Sequence, residues 1–222
     1  IMMPGQGMHL NFYIEIIYSI IVTLFIFLIY FKTRNMYKLT EHKGIKYFSY
    51  TFLFFGIAHL FRFLFRIFFR YFFDIPKHLM FNRMPHLFGG WVFVYTSVMA
   101  GLFLLYSVMY KKIKLKETTI ILLINVIAII TTLLDMWIKN PFVHVGIITT
   151  IFGATIIVSL TKKSKKRHPF FIAYISIFLI WLLNLISIEI PKFMFELRVG
   201  IYVMSLVLYF VILQRIFKKR KK

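Results

Sequence analysis

The chain has 222 residues, 60% of them hydrophobic and 20% aromatic, yet it carries 28 Lys and Arg against 7 Asp and Glu, a net charge of +21. A water-soluble domain cannot hide that much apolar surface, and a nucleic-acid binder gathers its basic residues on an otherwise polar face, whereas here they punctuate long apolar runs. The absence of cysteine removes disulfides, Cys-based metal sites and thiol chemistry.

A spanning helix needs about 20 predominantly apolar residues. The first such stretch runs near 10–31 and ends in a basic segment containing Lys32, Arg34 and Lys38. The second, near 46–69, follows Lys43 and Lys46 and is rich in Phe; Pro76 and Pro85 then interrupt the chain before a third near 87–110. Lys111, Lys112, Lys114 and Lys116 separate this from a fourth near 118–138, and only a short link to Pro141 separates that from a fifth near 142–161. After Lys162, Lys163, Lys165, Lys166 and Arg167 come a sixth near 169–188, opened by Pro169 and closed by Pro191, and a seventh near 195–214. A β-barrel would alternate in polarity over segments of roughly 10 residues, whereas Ile120 to Leu134 and Phe170 to Leu183 are apolar on every side. The expected fold is therefore all-α: one integral membrane domain, 1–222, forming a seven-transmembrane helix bundle.

Orientation follows from the basic residues. Four clusters, after the first, third and fifth stretches and at the C-terminus, hold 20 of the 28 Lys and Arg, and seven crossings place all four on one side. By the positive-inside rule that side is the cytoplasm, which puts the N-terminus outside, the C-terminus inside and the protein in the plasma membrane. The same clusters would attract anionic lipid headgroups at the cytoplasmic face, at about 1 kcal/mol per residue. No nucleic-acid partner is expected.

The longest connection, about 71–86, leaves no room for a folded domain outside the bilayer, so any chemistry sits between the helices. Ionisable residues inside the spans are costly and so are the candidates for function. The second stretch carries His59, Arg62, Arg66 and Arg70, spaced to fall on one stripe of a helix. Counted from Lys46 at about 1.5 Å per residue, His59 lies roughly 20 Å up and Arg62 roughly 24 Å up, while Arg66 and Arg70 reach the outer interface, where long Arg side chains snorkel to the headgroups. Glu15, roughly 9 Å below the outer start of the first helix, matches the depth of Arg62, and pairing would relieve the cost of burying either charge alone. A contact between Glu15 and Arg62 is thus expected, either as a structural bridge or as part of a ligand site.

Asp135, Glu189, Glu196, Arg198, His86 and His144 also fall toward the outer half, where Tyr18, Tyr95, Asn184 and Tyr202 supply hydrogen-bonding groups. A shared outward-facing polar pocket is the simplest arrangement, with Glu15, His59, Arg62, Arg66 and Asp135 as its ligand-binding set. The alternative is that each charge marks a helix end at the headgroups. The cytoplasmic halves read as apolar or small apart from Thr96, Ser97, Asn125 and Ser205, which argues against a polar path through the membrane.

No cofactor or metal is expected. Haem would need two histidines at one depth on facing helices; His59 is central and His86 and His144 peripheral. No HExxH, GxSxG, P-loop or dinucleotide motif occurs, Met2, Met3, Met8 and His9 read as incidental rather than as a copper site, and Phe195 to Leu213 offers no lysine for a retinal Schiff base. Nothing positions a nucleophile, so no enzymatic activity is expected. These residues point to a small sensor or receptor-like protein binding a small or lipidic anionic ligand and signalling through a partner membrane or signalling protein. An accessory subunit of a larger membrane complex and a transporter or channel subunit are the alternatives.

Overall fold

The computed structural model describes residues 6–72, 89–113, 115–138, 141–161, 171–189 and 195–218. Seven α-helices fill these segments: α1 (Gln6–Thr40), α2 (Lys43–Phe72), α3 (Gly89–Met109), α4 (Glu117–Ile138), α5 (Pro141–Leu160), α6 (Phe171–Glu189) and α7 (Phe195–Lys218). Five of them, α1, α2, α3, α4 and α7, contain stretches long and apolar enough to cross a membrane, and α5 and α6 are apolar but shorter over their described lengths. That is the make-up of a multi-pass helical membrane protein.

The outward faces explain why water is the wrong solvent. Leu24, Leu28 and Phe31 on α1, Leu122 and Leu133 on α4, and Trp137 at 84% exposure all stand clear of the bundle. A helix apolar on every side, presenting bulky side chains outward, belongs in hydrocarbon. Hydroxyls inside the helices are handled as that solvent demands. Thr33 Oγ1 donates to the Ile29 carbonyl at 2.8 Å, Thr96 to Val92 at 2.6 Å and Thr155 to Ile151 at 2.8 Å, so each of these three hydroxyls is satisfied within its own helix.

The helix ends lie close to the sequence-based boundaries, with one informative exception. The apolar run of α1 ends near Phe31, but the helix continues through Lys32, Arg34 and Lys38 to Thr40, since these are good helix formers and nothing between Phe31 and Thr40 breaks the ladder. The chain turns over two residues. Glu41 takes the left-handed conformation (φ 50°) and its N–H donates back to the Tyr37 carbonyl at 2.7 Å, a C-terminal cap of the kind usually made by glycine. The carbonyl of His42 then accepts from Ile45 N–H at 2.8 Å and opens α2. At the other short link, α5 starts on Pro141, whose missing N–H and fixed φ suit a first helical position.

Packing proceeds around the bundle: α1 on α2, α2 on α3, α3 on α4 and α5, α5 on α6, α6 on α7, and α7 back on α1. A Cβ on Gly56 would lie 3.2 Å from Ile26 and 3.3 Å from Phe27, so the absence of a side chain lets α1 and α2 approach closely. The core is aromatic. Tyr47, Phe48, Phe52, Phe152 and Tyr174 are among its largest fully buried side chains; Phe48 and Tyr174 meet edge to face at 5.7 Å, and Phe152 stands 5.8 Å from Trp181.

Candidate functional site: a polar seam between α1, α6 and α7

Near the start of α1, Glu15 Oε1 accepts from Arg198 Nη1 of α7 at 3.2 Å, with the Arg198 side chain 10% exposed and that of Glu15 21% exposed. One turn on, Tyr18 lies on Tyr202 with ring centroids 4.1 Å apart and planes 13° from parallel. Tyr18 also donates its hydroxyl to Asn184 Oδ1 of α6 at 3.0 Å, and the Asn184 amide donates to the Ile180 carbonyl at 2.8 Å. Further along the same seam Lys32 sits over the Phe217 ring at 4.5 Å. The pairings 15 with 198, 18 with 202 and 32 with 217 keep an almost constant offset, so α1 and α7 run parallel and in register over most of their length.

Helical spacing explains the convergence. Glu15, Tyr18 and Val22 share one stripe of α1, and Arg198, Tyr202, Ser205 and Tyr209 share one stripe of α7. Asn184 arrives late in α6, at the end of the bundle where α1 and α7 begin. Arg198 and Glu15 are each expensive to bury alone and much cheaper as a pair, and the low polarity around them strengthens the attraction.

Of the residues expected from sequence, Glu15, Tyr18, Asn184, Arg198 and Tyr202 come together here. His59 is half-buried on α2. Asp135 is half-buried near the end of α4, and because α4 packs on α3 and α5 it belongs to another part of the bundle. The side chains of Arg62 and Arg66 lie outside the described residues, so the expected Glu15 to Arg62 contact does as well.

A second polar region, not anticipated from sequence, occupies the opposite end of the bundle. Lys46 of α2 is ion-paired to Glu117 at the start of α4 and lies 5.8 Å over the Tyr37 ring of α1. The Tyr110 hydroxyl meets His42 Nε2 at 2.7 Å, tying the α1–α2 turn to the end of α3. Arg34 donates to the Tyr30 hydroxyl at 2.7 Å, and Tyr47 meets Tyr106 edge to face at 4.4 Å. The signal for it was present in the sequence: Tyr30, Tyr37, Tyr47, Tyr106 and Tyr110 stand beside the first two basic clusters, legible as interface anchors but not as partners of one another. Elsewhere, Tyr95 of α3 donates to Asn125 Oδ1 of α4 at 2.5 Å. Among the described residues no three His, Asp or Glu side chains come together as a metal-binding group.

A protein of Archaeoglobus fulgidus, described as an uncharacterized protein, is 29% identical over 216 residues, covering 92% of each chain. The similarity runs over nearly the full length of both chains. The chain matches no family model and no solved structure.

Proposed function

We propose that this protein is a seven-span sensor of the plasma membrane, N-terminus outside and C-terminus in the cytoplasm, whose outer polar seam binds a small or lipidic anionic ligand. The observation that carries this reading is the Glu15–Arg198 ion pair, largely buried between two helices and flanked by a tyrosine stack and an amide. A guanidinium held by a carboxylate is a ready receptor for another carboxylate or a phosphate, because the incoming anion takes over the same donor geometry. Exchange of partners on Arg198 would loosen α1 from α7, and the motion would be read at the far end of α1, where the turn at Glu41 and His42 is tied to α2, α3 and the basic inner face. That face, with Lys38, Lys43, Lys111 and Lys112, suits anionic headgroups and an acidic region of a signalling partner. An ion pair used this way is a switch between two arrangements rather than a source of net stability.

The test is thermal stabilisation of the purified protein by a panel of short- and long-chain carboxylates and phosphates. At least one should raise the unfolding midpoint. Arg198→Gln should abolish that response, and Glu15→Gln, which removes the competing carboxylate, should strengthen it. Equal responses in wild type and Arg198→Gln would refute the reading.

A further inference from the structure

Ser205 departs from the rule followed by other hydroxyls of the bundle. Ser19, Thr23, Thr33, Thr96, Thr131 and Thr155 each donate to the carbonyl four residues back, at 2.6–2.8 Å. Ser205 is fully buried and its Oγ has no hydrogen-bond partner among the described residues. An unmet hydroxyl in the interior is costly, and it calls for an account: local strain, a bound water, or a ligand.

Its position narrows the choice. Ser205 lies on the α7 stripe seven residues beyond Arg198 and three beyond Tyr202, about 10 Å along the helix from Arg198, and on the side that faces α1. The parallel register sets it level with Val22, which is fully buried and offers no polar atom. Between Arg198 and Ser205 the seam is apolar and aromatic. On either flank, Ile17, Ile20 and Leu24 of α1 and Val203, Met204 and Val207 of α7 are exposed, so the seam is approached through lipid.

Resting on the anion-binding reading above, we propose that the ligand is a long-chain acid bearing a mid-chain hydroxyl or carbonyl group. Its acid group pairs with Arg198, its chain lies along the α1–α7 seam past Tyr18 and Tyr202, and its mid-chain oxygen hydrogen-bonds Ser205 Oγ. A short anion reaches only the first contact, and an unsubstituted fatty acid leaves Ser205 unsatisfied.

Oleate and ricinoleate share a chain length and differ by one mid-chain hydroxyl, so they serve as probes. Binding is measured by competition on the full-length protein in lipid nanodiscs, with the thermal midpoint of the ligand-free protein recorded alongside. Ricinoleate should bind about five- to tenfold more tightly than oleate, the value of one neutral hydrogen bond. Ser205→Ala should remove the preference, leave oleate binding unchanged and raise the ligand-free midpoint by deleting the unmet hydroxyl. Arg198→Gln should weaken both acids. Equal, Arg198-dependent binding of the two acids overturns this inference and leaves the anion-binding reading standing; binding of neither, or binding insensitive to Arg198, overturns both. A fall in the ligand-free midpoint of Ser205→Ala also overturns it, because the hydroxyl would then already have a partner such as a buried water.

Discussion

Removing the charge from either member of the Glu15–Arg198 pair should cost more than removing it from both. At 3.2 Å and an effective dielectric constant of about 20, the attraction is about 5 kcal/mol, and the desolvation of two ions, several kcal/mol each, cancels much of it. The intact pair is therefore close to neutral for stability. A lone charge keeps the desolvation and loses the attraction. For a fully buried pair that costs about 3–5 kcal/mol. The Arg198 side chain, at 10% exposure, approaches that limit, so Glu15→Gln should destabilise by about 3 kcal/mol. Glu15 at 21% exposure retains more solvent, which lowers the expectation for Arg198→Gln to about 2 kcal/mol on the same scale. The double variant Glu15→Gln/Arg198→Gln buries no charge and can form an amide–amide hydrogen bond, so it should return to within about 1 kcal/mol of wild type. Equilibrium unfolding in mixed micelles, followed by the fluorescence of Trp91, Trp137 and Trp181, measures all four corners of the cycle. Additive losses in the double variant would show that the two side chains do not interact and would remove the basis for the ligand site.

Glycine substitutions separate close packing from helix propensity. A Cβ on Gly44 would stand 2.9 Å from Tyr110 and 3.1 Å from the Ser107 carbonyl, whereas one on Gly200 would meet nothing within 4 Å; Gly44→Ala should destabilise by about 1–3 kcal/mol and Gly200→Ala should stabilise by up to about 1 kcal/mol, both read as shifts in unfolding midpoint. Glu41→Gly should stabilise by about 0.5–1 kcal/mol, because the exposed Glu41 holds a left-handed φ of 50° that costs a residue with a Cβ. Glu117→Gln should change stability by no more than about 1 kcal/mol, since its ion pair with Lys46 is partly exposed. Because the chain contains no cysteine, Glu41→Cys and Glu196→Cys each give a single labelling site: an impermeant maleimide should modify the first only in opened cells and the second in intact ones, and the reverse pattern would invert the proposed orientation.

The helices were legible because they follow from the solvent. Runs of Ile, Leu, Phe and Val too long for a soluble core, ended by Pro or by Lys clusters, locate an element whichever neighbours it meets. What composition cannot supply is where a helix stops once its apolar run is over. Lys32 to Thr40 is polar enough to read as a loop, yet it is made of good helix formers with no breaker and continues α1. Tertiary contacts hold the extension in place: Lys46 lies over the Tyr37 ring, and the turn is pinned by Tyr110 on His42.

The candidate site was legible in part. Depth alone brought Glu15, Arg198, Tyr18, Asn184 and Tyr202 to the same end of the bundle, because depth depends only on counting residues along each helix. Choosing partners requires knowing which helices are neighbours and in what register, which counting along one helix does not give. The closure of α7 onto α1 is a long-range contact with no trace in local sequence. Once that contact is given, the spacings 15, 18, 22 and 198, 202, 205 fix which side chains meet, and they set Ser205, whose hydroxyl has no partner among the described residues, level with Val22.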